Sequence, residues 1–329
     1  MTPRVSVIIP AKDVEQYIAE ALTSLLHQGL DPQEIEVVVI DDGSTDRTAD
    51  VAAGFANRFG SFQLLRNPEP GGVSAARNQG MRASTGAAIT FLDSDDWFGN
   101  GHLRVMVGAF ESLGVQSVRS DHIRALGKTR ELTRCPVFIR GRRLNPHDFI
   151  AHGFDRSIVD FPNASTGLFD RALLEDGTLL FAEDLRTAED REWNWRILLC
   201  TESFAVVNTP GTYYRRGVVG SLTAVYDRSQ LDFITSCRRT IEQTRARPEW
   251  APYTLKAAHN LLALTDIHLQ RSAEMGPGVR QELIRDVART TAALSEAERD
   301  AVTSSFTQKR LRTLAPVLRS VHRLTKERA

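Results

Sequence analysis

Along the first third of the chain, short runs of consecutive apolar residues alternate with stretches whose apolar positions recur every third or fourth residue. Val5-Ser6-Val7-Ile8-Ile9-Pro10, the segment Ile35 to Ile40, Phe62 to Leu65 and Ala87 to Leu92 read as strands. The unbroken Val/Ile character of the second suits a parallel strand buried on both faces. Between them, Val14, Tyr17, Ile18, Ala21, Leu22, Leu25 and Leu26 form one helical stripe, with Asp13 and Gln16 as its capping pair. A second helix would turn Val51, Ala52, Phe55 and Phe59 inward, and a third runs from about Ser74 to Ala83. This alternation predicts an α/β fold, a Rossmann-like and mostly parallel sheet with right-handed crossovers, flanked by helices.

The pattern changes further on. Gln116 to Ser120 reads as another strand, and the aperiodic, polar and basic stretch from Asp121 to Phe138 as a variable hairpin or loop. A helix running to Cys200 would face Trp193, Ile197 and Cys200 inward, and Val206 to Tyr214 is a strand. Beyond Tyr226 the periodicity is helical over Leu231–Glu242, Thr254–Arg271, Gly278–Leu294 and Glu296–His322, punctuated by Gly276-Pro277-Gly278 and by Pro316. The expected division is therefore a domain over residues 1–225, with halves 1–115 and 116–225, and an α-helical C-terminal region over 226–329.

Composition narrows the classes. Lys plus Arg and Asp plus Glu number 41 each, so no global field favours nucleic acid. Basic charge does gather after Thr307, where Lys309, Arg310, Arg312, Arg319, Arg323, Lys326 and Arg328 face only Glu327. Leu311, Leu314, Val317, Leu318, Val321 and Leu324 interleave with these residues. That helix could present its basic tail to an anionic membrane, although packing on neighbouring helices is the blander expectation. The helical region is also where a homo-oligomer interface could form. Three cysteines without metal-ligand spacing suggest reduced, buried thiols and a cytoplasmic protein, soluble or peripheral on the inner membrane face. The apolar run from Arg4 to Pro10 is too short for a signal peptide.

Candidate chemistry sits where the strands end. Phe91-Leu92 leads straight into Asp93-Ser94-Asp95-Asp96-Trp97, an Asp-x-Asp motif with one further carboxylate. In an open α/β sheet that edge borders the ligand crevice. Crowded carboxylates repel one another, and a hard cation such as Mg²⁺ or Mn²⁺ would relieve the repulsion; a solvated acidic turn capping the helix near Gly101 is the competing reading. Asp41 and Asp42 close the second strand, where Asp42 could accept the N3–H of uracil or thymine, with guanine still open, or could simply complement a helix N-terminus. Gly72 to Gly80 offers flexible backbone, a helix N-terminus and Arg77, a set that suits an anion or a base carbonyl.

Together, Val5 to Pro10, Asp41-Asp42-Gly43-Ser44, Gly72 to Gly80 and Leu92-Asp93-Ser94-Asp95-Asp96 resemble a family 2 glycosyltransferase of the GT-A fold, over residues 1–222. The resemblance implies inverting, hexosyltransferase-type transfer of a sugar from a nucleotide-sugar donor, commonly UDP-linked, to an acceptor hydroxyl, with Mn²⁺ or Mg²⁺. It implies donor contacts from Pro10, Ala11, Asp42, Gly72, Arg77, Asp93, Ser94, Asp95, Arg215 and Ser221, and a metal at Asp95 and Asp96. Phe181-Ala182-Glu183-Asp184 and Thr187-Ala188-Glu189-Asp190 resemble the family's acceptor region. That likeness makes Asp190 the expected general base, then Glu189, then Glu183. Tyr213 to Leu222 resembles the closing loop, but Gly217 stands where many relatives have histidine, leaving Arg215 or Arg216 to neutralise the diphosphate. The implied acceptor is a glycan or lipid-linked molecule of cell-surface polysaccharide, teichoic-type polymer or glycolipid synthesis. Pro10-Ala11-Lys12-Asp13 lacks the glycine-rich basic signature of a nucleotidylyltransferase, and a non-catalytic sugar-nucleotide binder would dispense with Asp190.

Overall fold

The computed structural model describes residues 2–150, 153–218, 227–272, 274–275 and 277–327. The chain divides into two compact units, one of Met1–Phe149, Ser157–Asp184 and Ile197–Val219, the other of Ile150–Arg156, Leu185–Arg196 and Gly220–Ala329.

The first unit is built on one sheet. Its strands are β1 (Val5–Ala11), β2 (Ile35–Asp42), β3 (Ser61–Asn67), β4 (Ala88–Phe91), β5 (Trp97–Phe98), β6 (Ser117–Leu126), β7 (Thr129–Thr133), β8 (Gly167–Asp170) and β9 (Phe204–Arg215). They lie in the order β3-β2-β1-β4-β8-β6-β9-β5, with β7 paired onto β6. The four strands expected from the N-terminal pattern run parallel. β8 enters antiparallel between β4 and β6, while β6 and β9 are parallel.

Both faces of the parallel half are covered, which is why its strands read as continuous apolar runs. On one face Val5, Val7, Ile9, Val37 and Val39 share a core with Leu22 and Leu25 of α1 (Ile18–Leu25) and with Leu103, Met106 and Val107. The last three belong to α4 (His102–Leu113), the fourth helix after α2 (Thr48–Ala53) and α3 (Val73–Ala83). On the other face α3 comes so close that a Cβ on Gly80 would fall 2.5 Å from Ile40 Cδ1 and 2.6 Å from Ile8 Cγ2.

At the N-terminal ends of the strands, Glu36 is 1% exposed and fully engaged. It accepts hydrogen bonds from Ser6 Oγ (2.6 Å), the Thr85 N–H (2.6 Å), Thr85 Oγ1 (3.0 Å), Gln63 Nε2 (3.1 Å) and the Gly86 N–H (3.3 Å). Burial pushes its pKa up, but these donors outweigh burial and hold it below the usual glutamate range.

Several expectations are corrected. Asp13 does not cap α1, which starts at Ile18 with no side-chain cap. Asp13, at φ +50°, instead accepts from the Thr45 N–H (2.8 Å) and hydroxyl (3.1 Å), tying the loop after β1 to the loop after β2. The expected hairpin within Asp121 to Phe138 is present as the antiparallel β6–β7 pairing, from His122 opposite Thr133 to Leu126 opposite Thr129. Two short helices, α5 (His147–Ile150) and α6 (Ala172–Glu175), precede α7 (Glu189–Cys200), in which Trp193 and Ile197 are buried but Cys200 is exposed.

The second unit contains α8 (Asp232–Ala246), α9 (Thr254–Gln270), α10 (Pro277–Ala292), α11 (Glu296–Ser304) and α12 (Gln308–Lys326). The expected single helix over 296–322 is thus two, because Thr307 starts a new one by accepting from the Arg310 N–H; Pro316 lies inside α12 rather than ending it. Leu314, Val317 and Val321 of α12 are buried and Arg310 pairs with Asp266 at 3.1 Å, so much of the apolar stripe that could meet a membrane is used in packing. Lys309, Arg312, Arg319, Arg323 and Lys326 remain exposed. Among the described residues no helix is long and apolar enough to cross a membrane.

Replacing Glu36 with Gln turns an NH₂ toward groups that are themselves donors. The expected loss is about 2–4 kcal/mol at neutral pH. Because the folded-state pKa is depressed, the contribution is present above about pH 4.3, the unfolded value, and disappears as pH falls through the lower folded one. Thermal melts from pH 7 to pH 3 should show the parent and Glu36→Gln converging at the acid end; a constant gap would refute the assignment.

Candidate active site

The chain leaves β4 in a tight turn, closed by the Asp96 N–H donating to the Asp93 carbonyl at 2.9 Å, and re-enters the sheet as β5. Its three carboxylates have distinct surroundings. Asp93 accepts from Arg77 Nη2 at 2.8 Å and from Ser165 Oγ at 3.2 Å. Asp96 is fully buried, accepts the Arg215 N–H at 2.7 Å through Oδ1, and leaves Oδ2 without a hydrogen-bond partner. Burial, then Asp93 and Asp95, raise the Asp96 pKa well above the carboxylate range. Asp95 is pushed up to about 6 by burial and by Asp93, against the opposing pull of Arg215.

Two arginines from distant segments hold this turn. Arg77 on α3 is 5% exposed and lies 5.0 Å from the Phe181 ring centre, so it is committed to Asp93 rather than projecting into solvent. Arg215, the last residue of β9, donates through Nε to the Asp95 carbonyl at 2.7 Å and through Nη2 to Glu20 at 2.5 Å. Its guanidinium sits over Trp97 (4.6 Å) and Tyr17 (5.0 Å), and Trp97 stacks on Tyr213 with centroids 5.0 Å apart. Asn78, one residue after Arg77, donates to the Phe181 carbonyl (2.9 Å) and to Glu183 Oε1 (2.8 Å) and accepts the Phe181 N–H (2.8 Å). Glu183 is therefore fixed against α3.

Beside the turn, β1 and β2 end in register, Pro10 opposite Ile40 and Ala11 opposite Asp41. Ala11 is 2% exposed, so its side chain belongs to the core and a ligand would meet its backbone. The Asp42 carboxylate accepts from Asn67 Nδ2 (3.0 Å) and the Gly71 N–H (2.9 Å) through Oδ1, and from the Gly72 N–H (2.8 Å) through Oδ2. It thereby gathers the loop between β3 and α3, with Gly72 at φ +92° turning the chain into the helix. Ser94 is buried. Ser221 lies outside the described residues.

Glu189 and Asp190 open α7 in the second unit. The approach to them is tightly held. Asp232 accepts from the Arg186 N–H (2.7 Å) and the Thr187 N–H (3.3 Å), Thr187 Oγ1 donates to the Ser229 carbonyl (2.6 Å), and Ser236 Oγ donates to the Ala188 carbonyl (3.0 Å). Ala188 has φ +56°, a strained conformation for a residue with a Cβ, immediately before the two acids. Trp193 and Trp195 on α7 are both buried, at 0% and 3% exposure.

The acidic turn suits a hard cation. Asp96 Oδ2 is an orphaned buried oxygen, and the donor set is all carboxylate. No group of three or more His, Cys, Asp or Glu among the described residues is arranged around a common metal position. Asp95 and Asp96 would therefore need oxygens from a diphosphate and from water to complete the shell, a usual arrangement for Mg²⁺. Sequence reasoning missed the parts that Asn78, Glu20 and Tyr17 take in the site. Asn78 could have been suspected from its place beside Arg77, whereas Glu20 meets Arg215 across 195 positions and carries no local signal.

The profile of "Glycosyl transferase family 2" matches residues 6–178, just over half the chain. The chain is 29% identical over 236 residues to the glycosyltransferase EpsJ of Bacillus subtilis, covering 70% of this chain and 66% of that one. It is 26% identical over 211 residues to the poly(ribitol-phosphate) beta-N-acetylglucosaminyltransferase TarS of Staphylococcus aureus, covering 64% and 35%. The chain thus spans less than two thirds of the length of either relative. Residues 1–349 of S. aureus TarS in complex with UDP-GlcNAc superpose with a TM-score of 0.77 at 20% identity, over 99% of this chain and 91% of that one. The mannosyltransferase PcManGT of Pyrobaculum calidifontis, in complex with GDP-Man and Mn²⁺, superposes at 0.54 and 18% identity over 98% and 88%.

Because the Asp95 pKa is raised in the folded protein, its ionisation removes stability as pH climbs from about 4 to about 6, and that loss persists above. Asp95→Asn is expected to be more stable than the parent by about 1–2 kcal/mol at pH 7.5 in EDTA, after allowance for partial exposure, with the gap shrinking at pH 4.5. A variant less stable than its parent at pH 7.5 would contradict this electrostatic account.

Proposed function

Since the chain belongs to glycosyl transferase family 2, we propose that it is an inverting glycosyltransferase taking a nucleotide-sugar donor, UDP-linked in the first instance, and an acceptor hydroxyl on a cell-surface polymer. The observation that carries the reading is the acidic turn, whose Asp95 and Asp96 are desolvated and crowded while Arg77 and Arg215 fix its shape. The UDP and UDP-GlcNAc complexes of residues 1–349 of S. aureus TarS support a uridine donor. The relatives named as poly(ribitol-phosphate) glycosyltransferases support the acceptor class.

Each residue then has a task. The ends of β1 and β2 offer backbone at Pro10 and Ala11 to the nucleoside. Asp42 Oδ2 takes one N–H in this structure and retains a lone pair for the N3–H of uracil, where cytosine would be repelled. Asp93 stays with Arg77 and Ser165 as the rigid wall of the site, so that Asp95 and Asp96 hold Mn²⁺ or Mg²⁺. Bound there, such a cation would supply Lewis-acid stabilisation of the departing diphosphate. Asp190 accepts the proton that the acceptor hydroxyl loses as it attacks the anomeric carbon, with Glu189 its neighbour; Glu183, bound to Asn78, is less suited.

Release of UDP from a panel of UDP-sugars, with Mn²⁺ and a cell-surface polymer as acceptor, tests the proposal. Asp190→Ala should lower turnover by about 10²–10⁴-fold with UDP affinity unchanged. Asp95→Ala should lower both turnover and the number of Mn²⁺ ions bound, read by the electron paramagnetic resonance signal of free Mn²⁺. Tight UDP-sugar binding without turnover on any acceptor would instead favour a non-catalytic binder.

A further inference from the structure

Within the second unit, the two acids that open α7 follow three residues whose backbone is held from α8 and from the turn before it. Asp232, the first residue of α8, takes the N–H groups of Arg186 (2.7 Å) and Thr187 (3.3 Å) on a single oxygen, Oδ2. Thr187 Oγ1 donates to the Ser229 carbonyl at 2.6 Å, and Ser229 is itself fixed, its N–H donating to Asp227 at 2.8 Å. Ser236, one turn further along α8 and with no exposed surface, donates to the Ala188 carbonyl at 3.0 Å. That carbonyl also accepts the Arg191 N–H at 3.2 Å. Beyond the acids comes another tie to the same helix: Gln243 Nε2 donates at 3.3 Å to Glu192 Oε1, and Glu192 is buried. Glu189 and Asp190 are thus bracketed by bonds to α8 on either side.

The bonds before the acids go to backbone N–H and C=O groups or to Thr187, so what they specify is the path of the chain. That path includes Ala188 at φ +56°, where Cβ crowds the backbone and the right-handed conformation is lower in energy. A residue with a side chain stays there only where its surroundings over-determine it. Asp232 grips the residue just before Ala188, and Ser236 grips Ala188 itself. Released, Ala188 would return to negative φ and swing the chain that follows it, beginning with Glu189 and Asp190.

We propose that Asp232, with Ser236 as a second point of attachment, is a positioning residue for the transfer reaction: by holding Ala188 left-handed, it fixes where Asp190 stands. This deepens the proposed function and rests on it, since there Asp190 takes the proton of the acceptor hydroxyl. A general base works only within hydrogen-bond reach of its proton, about 2.6–3.2 Å, and a misplacement of about 1 Å costs on the order of 10²-fold. The helical region thereby takes part in the reaction through the backbone of residues 186–188.

The test is UDP release by the full chain from the panel of UDP-sugars, with Mn²⁺ and cell-surface polymer. Asp232→Ala should lower kcat about 10²-fold, while KM for the UDP-sugar and affinity for UDP stay at parent values. Crystal structures should show Ala188 at positive φ in the parent and at negative φ in the variant. Because both N–H groups meet Oδ2, the amide oxygen of Asp232→Asn can take its place, and that variant should recover most of the lost kcat. Adding Ala188→Gly to Asp232→Ala should restore kcat at least 10-fold, since glycine meets no Cβ penalty at positive φ. A clamp serving stability alone would lower the melting temperature without that recovery. Where Asp232→Ala does not fold, Ser236→Ala takes its place, with kcat lowered about 10-fold. Parent kcat in the clamp variant, Ala188 still left-handed in it, or no recovery with glycine would each overturn the proposal. Parent kcat in Asp190→Ala would instead sink the base assignment beneath it.

Discussion

Three carboxylates within four residues, one of them with no exposed surface, cannot all carry charge in a protein interior unless cations are brought to them. The first unit meets that constraint with residues from well separated parts of the chain. Arg77 arrives on α3 over the Phe181 ring, and Arg215 at the end of β9 over Trp97 and Tyr17 with a further bond to Glu20. Neither offsets burial and crowding completely, since Asp95 and Asp96 remain shifted upward, by burial first and by their acidic neighbours second. Residual repulsion of this kind is relieved by a divalent cation, which links the strain of the turn to the chemistry proposed for it.

The two ends of the strands differ in kind. At the N-terminal ends, Glu36 receives donors from β1, from β3 and from the Thr85–Gly86 turn, so a buried charge is fully satisfied there and ties strands together. At the C-terminal ends, Asp96 keeps an oxygen without a partner and the acids crowd one another. A rigid, well-bonded base lets the opposite edge carry groups that destabilise the isolated fold, a division expected where a site must be preorganised.

Second-half features follow the same economy of placement. Asp232, Ser229 and Ser236 fasten the turn that leads to Glu189 and Asp190, and they hold Ala188 in a left-handed conformation that only surrounding bonds maintain. The helices beyond use their apolar stripes on each other: Leu314, Val317 and Val321 are buried, leaving Lys309, Arg312, Arg319, Arg323 and Lys326 of α12 in solvent.

Much of this was legible in the sequence, because burial on both faces imposes an unbroken apolar run and burial on one helical face imposes a period of three or four. The parallel strands, the helices between them, the acidic turn and the first-turn acids of α7 follow from such local patterns. What local pattern cannot encode is the partner of a polar side chain. That Asp13 would bind Thr45 instead of capping a helix, that Arg77 would be spent on Asp93, that Asp42 would gather the Gly71–Gly72 loop and that Arg215 would reach Glu20 depend on segments brought together only by the sheet order. The sequence by itself determined where charge and apolar surface occur; tertiary structure decided which charges neutralise one another, because electrostatic and hydrogen-bond energies depend on distance in space and not along the chain.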